Sequence, residues 1–340
     1  IRDKLVTGVQ TCALPICLWH DVTPARFQEI RAAGEPAVMK GLAADWPFVR
    51  AADAAAYLRA MALPGTVQYM RAPPDIEGRM HYGATIGSRN FTREEALFAA
   101  FLDRLAEQSE ADRPEALALQ GLPAPQLMPG FAEANPMALV PGVSPRLWIG
   151  NAAKVAIHHD PTENIAVVGA GRRRFTLFAP EQVGNLYMGP FDPTPAGVQV
   201  SMVHLTTPDH ARYPRFAVAM AAALVAELDP GDAIYIPYQW YHHVEALDRF
   251  NVLVNYWWDP VPDASPWEAM MHGFVSLRSL PPDQRRAWRA MFDRYVFLVD
   301  GDPGAHLPPE ARGVFGATSP QAIAQMRAML FDGLRKRLRR

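Results

Sequence analysis

Two imidazoles and a carboxylate stand together at His158-His159-Asp160, and a second pair of imidazoles follows at His242-His243, behind the run Gly231-Asp232-Ala233-Ile234-Tyr235-Ile236-Pro237. If the first segment is extended, side chains alternate between faces, so His158 and Asp160 point one way and His159 the other. An imidazole and a carboxylate on one face need one more donor to hold a cation. On residue type alone, either His242 or His243 can supply it. Two histidines and one carboxylate, with coordination positions left over, suit a non-haem Fe(II) centre that reacts with oxygen. The same donors can also hold zinc. A lone histidine on a strand is more often a packed core residue; the H-x-D pair with a distant histidine on a second strand outweighs that reading.

These residues need strands to hold them, and the middle of the chain supplies the pattern. Short β-branched and aromatic runs fall at 147–149, 155–158, 165–168, 173–178, 233–236 and 252–257, separated by glycine, proline and asparagine clusters. The turn Pro230-Gly231-Asp232 introduces the strand whose end carries His242. Earlier, Thr23-Pro24 marks a helix start and Gly34-Glu35-Pro36 its end. A short strand at 37–40, a helix around 51–61 and strands at 67–70 and 117–119 follow. Thr92 with Glu95 three residues on reads as a capping box opening a helix with Leu97, Phe98, Phe101 and Leu105, and 107–114 reads as a polar loop. The stretch 185–229 is a long insertion. Its prolines make the first part irregular, and 217–228 reads as a helix; such an insertion is a candidate lid over a barrel mouth. From Trp267 on the chain turns helical, with a start at Thr318-Ser319-Pro320. The expected fold is mainly β with helical decoration, an antiparallel barrel or double-sheet jelly roll flanked by N-terminal and C-terminal helices.

Composition excludes several function classes. A chain of 340 residues, 49% hydrophobic and 20% charged, can bury a full core. A net charge of −2 gives no footprint for DNA or a membrane surface. The basic end, residues 335–340, reads as a solvated terminus. The longest apolar run, 216–226, is far short of the ~20 residues of a spanning helix. Cys12 and Cys17 are too few for a disulfide framework, so a cytoplasmic setting is the default expectation. Residues 1–16 carry no strand or helix period and read as a translated adapter remnant rather than native sequence. The expected organisation is a domain over 17–275, with a jelly-roll core at about 146–260, and a helical region over 276–340.

The motifs Leu147-Trp148-Ile149-Gly150, His158-His159-Asp160 with Asn164, Gly171-Arg172-Arg173-Arg174-Phe175, Pro230-Gly231-Asp232 leading to Trp240-Tyr241-His242-His243, and Val252 to Trp257 resemble the cupin-like, Jumonji-C type 2-oxoglutarate oxygenases. The resemblance spans roughly 35–267. It implies a double-stranded β-helix fold, Fe(II) held by His158, Asp160 and His242, and 2-oxoglutarate and O2 as co-substrates. The implied reaction is hydroxylation of a protein side chain or small molecule, and the terminal helices imply a homodimer. The resemblance places the cation for the far carboxylate of 2-oxoglutarate at Arg173, and Asn164, Asn255 and Gln120 at polar positions nearby. Strand alternation points the same way: Arg173 shares a face with apolar Phe175 and Leu177, so it faces inward, where its fork needs an acidic partner. A buried ion pair with a protein carboxylate is the alternative. Tyr238, Trp240 and Tyr241 are candidates for the substrate mouth. The chain departs from the family pattern where a tyrosine is replaced by Ala118, a threonine by Val155 and the familiar lysine by Arg173. A catalytically silent cupin-like binding protein is the alternative that Ala118 and Val155 favour.

Overall fold

Along the central strands of two facing β-sheets, apolar side chains point alternately into the space between the sheets and out onto flanking segments. The computed structural model describes residues 14–315 and 319–338. The chain forms two units, residues 1–260 and 261–340. In the first unit, a six-stranded sheet has the order Leu14–Pro15, Leu224–Leu228, Arg173–Phe178, Tyr241–Ala246, Lys154–His158 and Arg79–Met80. A nine-stranded sheet has the order Cys17–Trp19, Ala37–Met39, Ala233–Ile236, Glu163–Ala170, Asn251–Trp258, Pro145–Gly150, Ala116–Pro123, Thr66–Ala72 and Thr92–Leu97. The result is the β-rich jelly-roll core with helical decoration that the pattern implies.

Phe175, Leu177 and Val244 of the smaller sheet meet Ala166, Val168, Ile234, Ile236 and Leu253 of the larger one in a single cluster between the sheets. The intervening residues Ile165, Val167, Tyr235, Val252, Val254 and Tyr256 face the other way. They pack with Phe27, Ile30, Leu58, Phe98, Phe101 and Leu105 of the N-terminal helices. Both faces of these central strands are buried, which is why their sequences are nearly continuous apolar runs. The outer face of the smaller sheet is covered by the insertion, where Leu186, Val203, Phe216 and Ala219 pack on Ile157, Phe178 and Tyr241.

The N-terminal helix is Pro24–Ala33, capped by Thr23 and closed by Gly34 in the left-handed conformation. Three expectations are overturned by tertiary pairing. Thr92–Leu97 is a strand along Thr66–Ala72, and the helix begins only at Phe98 and runs to Glu110, through the start of the expected loop. Glu94 accepts from Tyr69 Oη at 2.8 Å and from Arg71 and Arg104 at 3.1 and 2.8 Å. A capping box is worth about 1 kcal/mol, less than a strand ladder with this network beside it. The expected helix over 217–228 stops at Ala221, and Leu224–Leu228 is a strand pairing with Arg173–Phe178. Its alanine-rich sequence favours helix, and the open edge of the sheet overrides that weak preference. His242 is not at the end of the Ala233–Ile236 strand but within a separate strand, Tyr241–Ala246.

Of residues 1–16, which read as an adapter remnant, 1–13, including Cys12, lie outside the described residues. Leu14–Pro15 pairs with Leu224–Leu228, and Ile16 is buried in the inter-sheet cluster. Cys17 is exposed and free. In the second unit, the helices Pro266–Leu277, Pro282–Tyr295 and Pro320–Leu338 bury none of their residues. Ser319 Oγ accepts from the amide of Ala322 at 3.2 Å and starts the last helix; Thr318, Arg339 and Arg340 lie outside the described residues. Among the described residues, no helix is long and apolar enough to cross a membrane.

Candidate metal centre

His158 ends its strand, Asp160 follows in the turn, and His242 lies opposite His158 in the antiparallel register of the neighbouring strand. One ligand atom from each of the three residues lies within 4.8 Å of the others. His242 Nε2 is 3.6 Å and His158 Nε2 4.0 Å from the Asp160 carboxylate. His158 Nδ1 donates to the carbonyl of Ala156 at 2.8 Å, and His242 Nδ1 to that of Trp240 at 3.0 Å. A carbonyl can only accept, so each Nδ1 carries the proton and each Nε2 presents its lone pair to the carboxylate. This outer hydrogen bond is how metal-binding imidazoles are commonly oriented. Burial, and after it the neighbouring His158, pushes the His242 imidazole down to about 4, so it stays neutral and able to ligate. The donor set fits a divalent transition metal with positions left open.

Between His242 and Val244 the pairing carries a bulge, with Val155 opposite Val244 and His158 opposite His242. Two residues, Ala156 and Ile157, stand against His243. Strict alternation would turn Val155 away from His158's face; the extra residue lets both line one cavity. His159 instead lies ring to ring with Tyr241 at 5.0 Å, on the side covered by the insertion. His243 lines a small separate pocket with Arg79, His81, Lys154 and His204.

The cavity holds about 240 Å³ and is lined by all three members of the cluster together with Arg173, Asn164, Asn255 and Gln120. Gly171, at φ +67, makes the turn into the Arg173–Phe178 strand; a Cβ there would meet the Phe250 carbonyl at 2.3 Å. Alternation then divides three consecutive arginines. Arg172 pairs with Asp248 at 2.9 Å, and Arg174 with Glu227 and Glu245 at 2.6 and 3.0 Å. Arg173 faces the cavity, buried, with no carboxylate within 4.0 Å among the described residues and its Nε without a partner. Burial alone pushes its guanidinium down to about 10. Asn255 Nδ2 donates to Asn164 Oδ1 at 2.9 Å, which leaves Asn255 Oδ1 buried and unpaired. The cavity therefore presents a free cation and an unpaired amide oxygen to whatever enters.

The aromatic residues expected at the mouth are not there. None of Tyr238, Trp240 and Tyr241 lines the cavity. Tyr238 is exposed in the turn, Trp240 packs against the inter-sheet cluster, and Tyr241, one residue out of phase with His242, faces the insertion. The walls come instead from Met70, Met80, Phe91, Trp148 and Trp257, with Pro195, Ala196, Val198 and Val200 supplied by the insertion. Trp257 could have been found from sequence, since it continues the alternation Leu253, Asn255. Met70, Met80 and Phe91 carry no such signal, because only the sheet order brings them near.

A family model described as a cupin-like domain matches residues 23–264. Among curated relatives, the chain is 30% identical over 131 residues to Lysine-specific demethylase JMJ31 of Arabidopsis thaliana, covering 38% of this chain and 22% of that protein. It is 32% identical over 112 residues to Lysine-specific demethylase 8 of Xenopus tropicalis, 33% of this chain and 24% of the relative. With tRNA wybutosine-synthesizing protein 5 of Danio rerio it shares 28% over 145 residues, 38% of this chain and 41% of the relative. The matches thus span between about a fifth and two-fifths of these relatives' lengths.

Proposed function

The chain belongs to the cupin-like domain family, and we propose that it is an Fe(II)- and 2-oxoglutarate-dependent oxygenase that hydroxylates a protein side chain or small molecule. The observation that carries this reading is Arg173: a buried, unpaired guanidinium in the same cavity as His158, Asp160 and His242. Burying a cation without a partner is costly, and a dicarboxylate that enters beside the metal cluster removes that cost with a bidentate pair.

His158, Asp160 and His242 would hold the iron. Iron, when bound, supplies the activation of O2 that couples decarboxylation of 2-oxoglutarate to oxidation of a C–H bond. The residues of the chain do the rest. Arg173 grips the far carboxylate, the pair Asn164 and Asn255 together with Gln120 offers hydrogen bonds along the co-substrate, and the apolar walls keep water out. The carbonyls of Ala156 and Trp240 hold both imidazoles in the ligating tautomer. The direct test is anaerobic binding of Fe(II) and 2-oxoglutarate followed by succinate release on admitting O2. No metal binding in the wild type, or undiminished binding in His158→Ala, sinks the reading.

A second reading, a cupin-like binding protein without turnover, is favoured by Ala118 and Val155. Ala118 pairs with Met70 across the sheet and offers no hydroxyl, and Val155 lines the cavity with methyl groups. Uncoupled 2-oxoglutarate turnover separates the two, and metal analysis of protein purified without oxygen separates iron from zinc. The second unit is the candidate homodimer surface: its helices expose Trp288, Met329, Phe331 and Leu334. Light scattering on the full chain and on a form ending near Pro309 tests it; a one-chain mass for both rules it out.

A further inference from the structure

We infer that the substrate group admitted to this cavity is neutral and apolar, and that the cavity rejects a protonated or quaternary amine; this rests on the oxygenase reading above. The residues with formal charge along it are Lys154, Asp160 and Arg173, beside the two imidazoles. Asp160 is committed to the metal and Arg173 to the dicarboxylate. What remains is Lys154, which shares the strand phase of Glu245 and lines the outer pocket with His243, so its ammonium is turned away from the cavity. Lys154 Nζ lies 3.8 Å from Glu245, whose carboxylate is held more closely by Arg174 at 3.0 Å. No further Asp or Glu lines the cavity among the described residues. An incoming ammonium would lose its hydration and find no uncommitted carboxylate to replace it.

An aromatic cage is the other way to hold such a cation, and the rings present do not form one. Trp148 and Trp257 meet edge to face at 5.1 Å, and the guanidinium of Arg146 already lies over the Trp257 ring at 5.9 Å. The remaining wall is apolar and deformable. Met70 and Phe91 belong to a buried cluster with Ala118, against which Met80 also packs, and Val198 and Pro195 close the insertion side. Methionine walls adapt to apolar shapes. With Gln120 given to the co-substrate, the buried, unpartnered indole Nε1 of Trp257 is the remaining polar handle, and as a donor it suits a neutral carbonyl or hydroxyl.

Choline and 3,3-dimethyl-1-butanol have the same shape and differ by one positive charge, which makes them the probes. The full chain is loaded with Mn(II) in place of iron and with 2-oxoglutarate, and Mn(II)-induced relaxation of the probe methyl protons is followed by NMR. The expected result is relaxation of the alcohol's methyl signal and binding of choline at least about tenfold weaker. Equal or tighter binding of choline to the wild type, or relaxation of neither probe in protein that holds Mn(II), overturns the inference. Mn(II) and 2-oxoglutarate binding are measured first, so a failure there falls on the oxygenase reading. In that event saturation transfer from the metal-free protein compares the same two probes, and their order still decides.

Discussion

His242 sits directly opposite His158 across two antiparallel strands, with ring centroids 4.3 Å apart and both Nδ1 protons given to backbone carbonyls. The pair is therefore arranged by the backbone before any metal arrives. Only Asp160, from the turn, completes the cluster.

Removal of one ligand should abolish tight metal binding. His158→Ala and Asp160→Ala are expected to weaken Mn(II) or Fe(II) affinity by more than the roughly 100-fold that loss of an outer hydrogen bond can cost. Calorimetric titration of anaerobic protein checks this. His159→Ala, on the far face, should leave metal affinity within a few-fold of wild type.

Arg173→Met should separate ligand binding from stability by moving them in opposite directions. It removes a buried cation that has no protein partner, so the metal-free protein should gain about 1–3 kcal/mol. The same change should weaken 2-oxoglutarate binding by at least about 2 kcal/mol. Denaturant unfolding and 2-oxoglutarate titration read the two effects. A structural ion-pair role would instead predict loss of stability.

Stability of the metal-free protein should fall with acid. Burial holds both His242 and His243 at about 4, below the ordinary value of 6.5. The unfolded chain therefore binds more protons between those values. The contribution is fully present above about pH 6.5 and is lost as pH falls toward 4, with each buried imidazole contributing on the order of 1–3 kcal/mol. Urea unfolding at pH 7.5 and pH 5 tests the sign.

Val155→Thr should return a hydroxyl to the cavity wall. Its expected effect is a gain of about 1 kcal/mol in 2-oxoglutarate affinity, read by titration, with succinate release rising if the silent reading is wrong. Unchanged affinity would locate the co-substrate away from Val155.

Much of the site was legible because strand alternation is local. The inward aim of Arg173 between outward Arg172 and Arg174 follows from a period of two and nothing more, whereas Asp160 joins His158 from beyond the end of the strand. The choice between His242 and His243 was not local. It depends on which residue falls opposite His158, and the bulge at Ala156 and Ile157 sets that register. Thr92–Leu97 and Leu224–Leu228 depart from their local pattern for the same reason, since each trades a favourable local conformation for a partner strand distant in sequence.

The amino-acid sequence by itself determined the types of donor at the candidate site, the β-rich class and the inward arginine, because residue chemistry and side-chain alternation are properties of short segments. Residue type and spacing left His242 and His243 open and only the family resemblance pointed to His242; the tertiary structure supplies the physical reason that His242 joins Asp160, and it alone decided that Tyr238, Trp240 and Tyr241 stand away from the cavity and that Met70, Met80 and Phe91 form its wall. Those outcomes depend on sheet order and register, set by hydrogen bonds and packing between strands tens of residues apart.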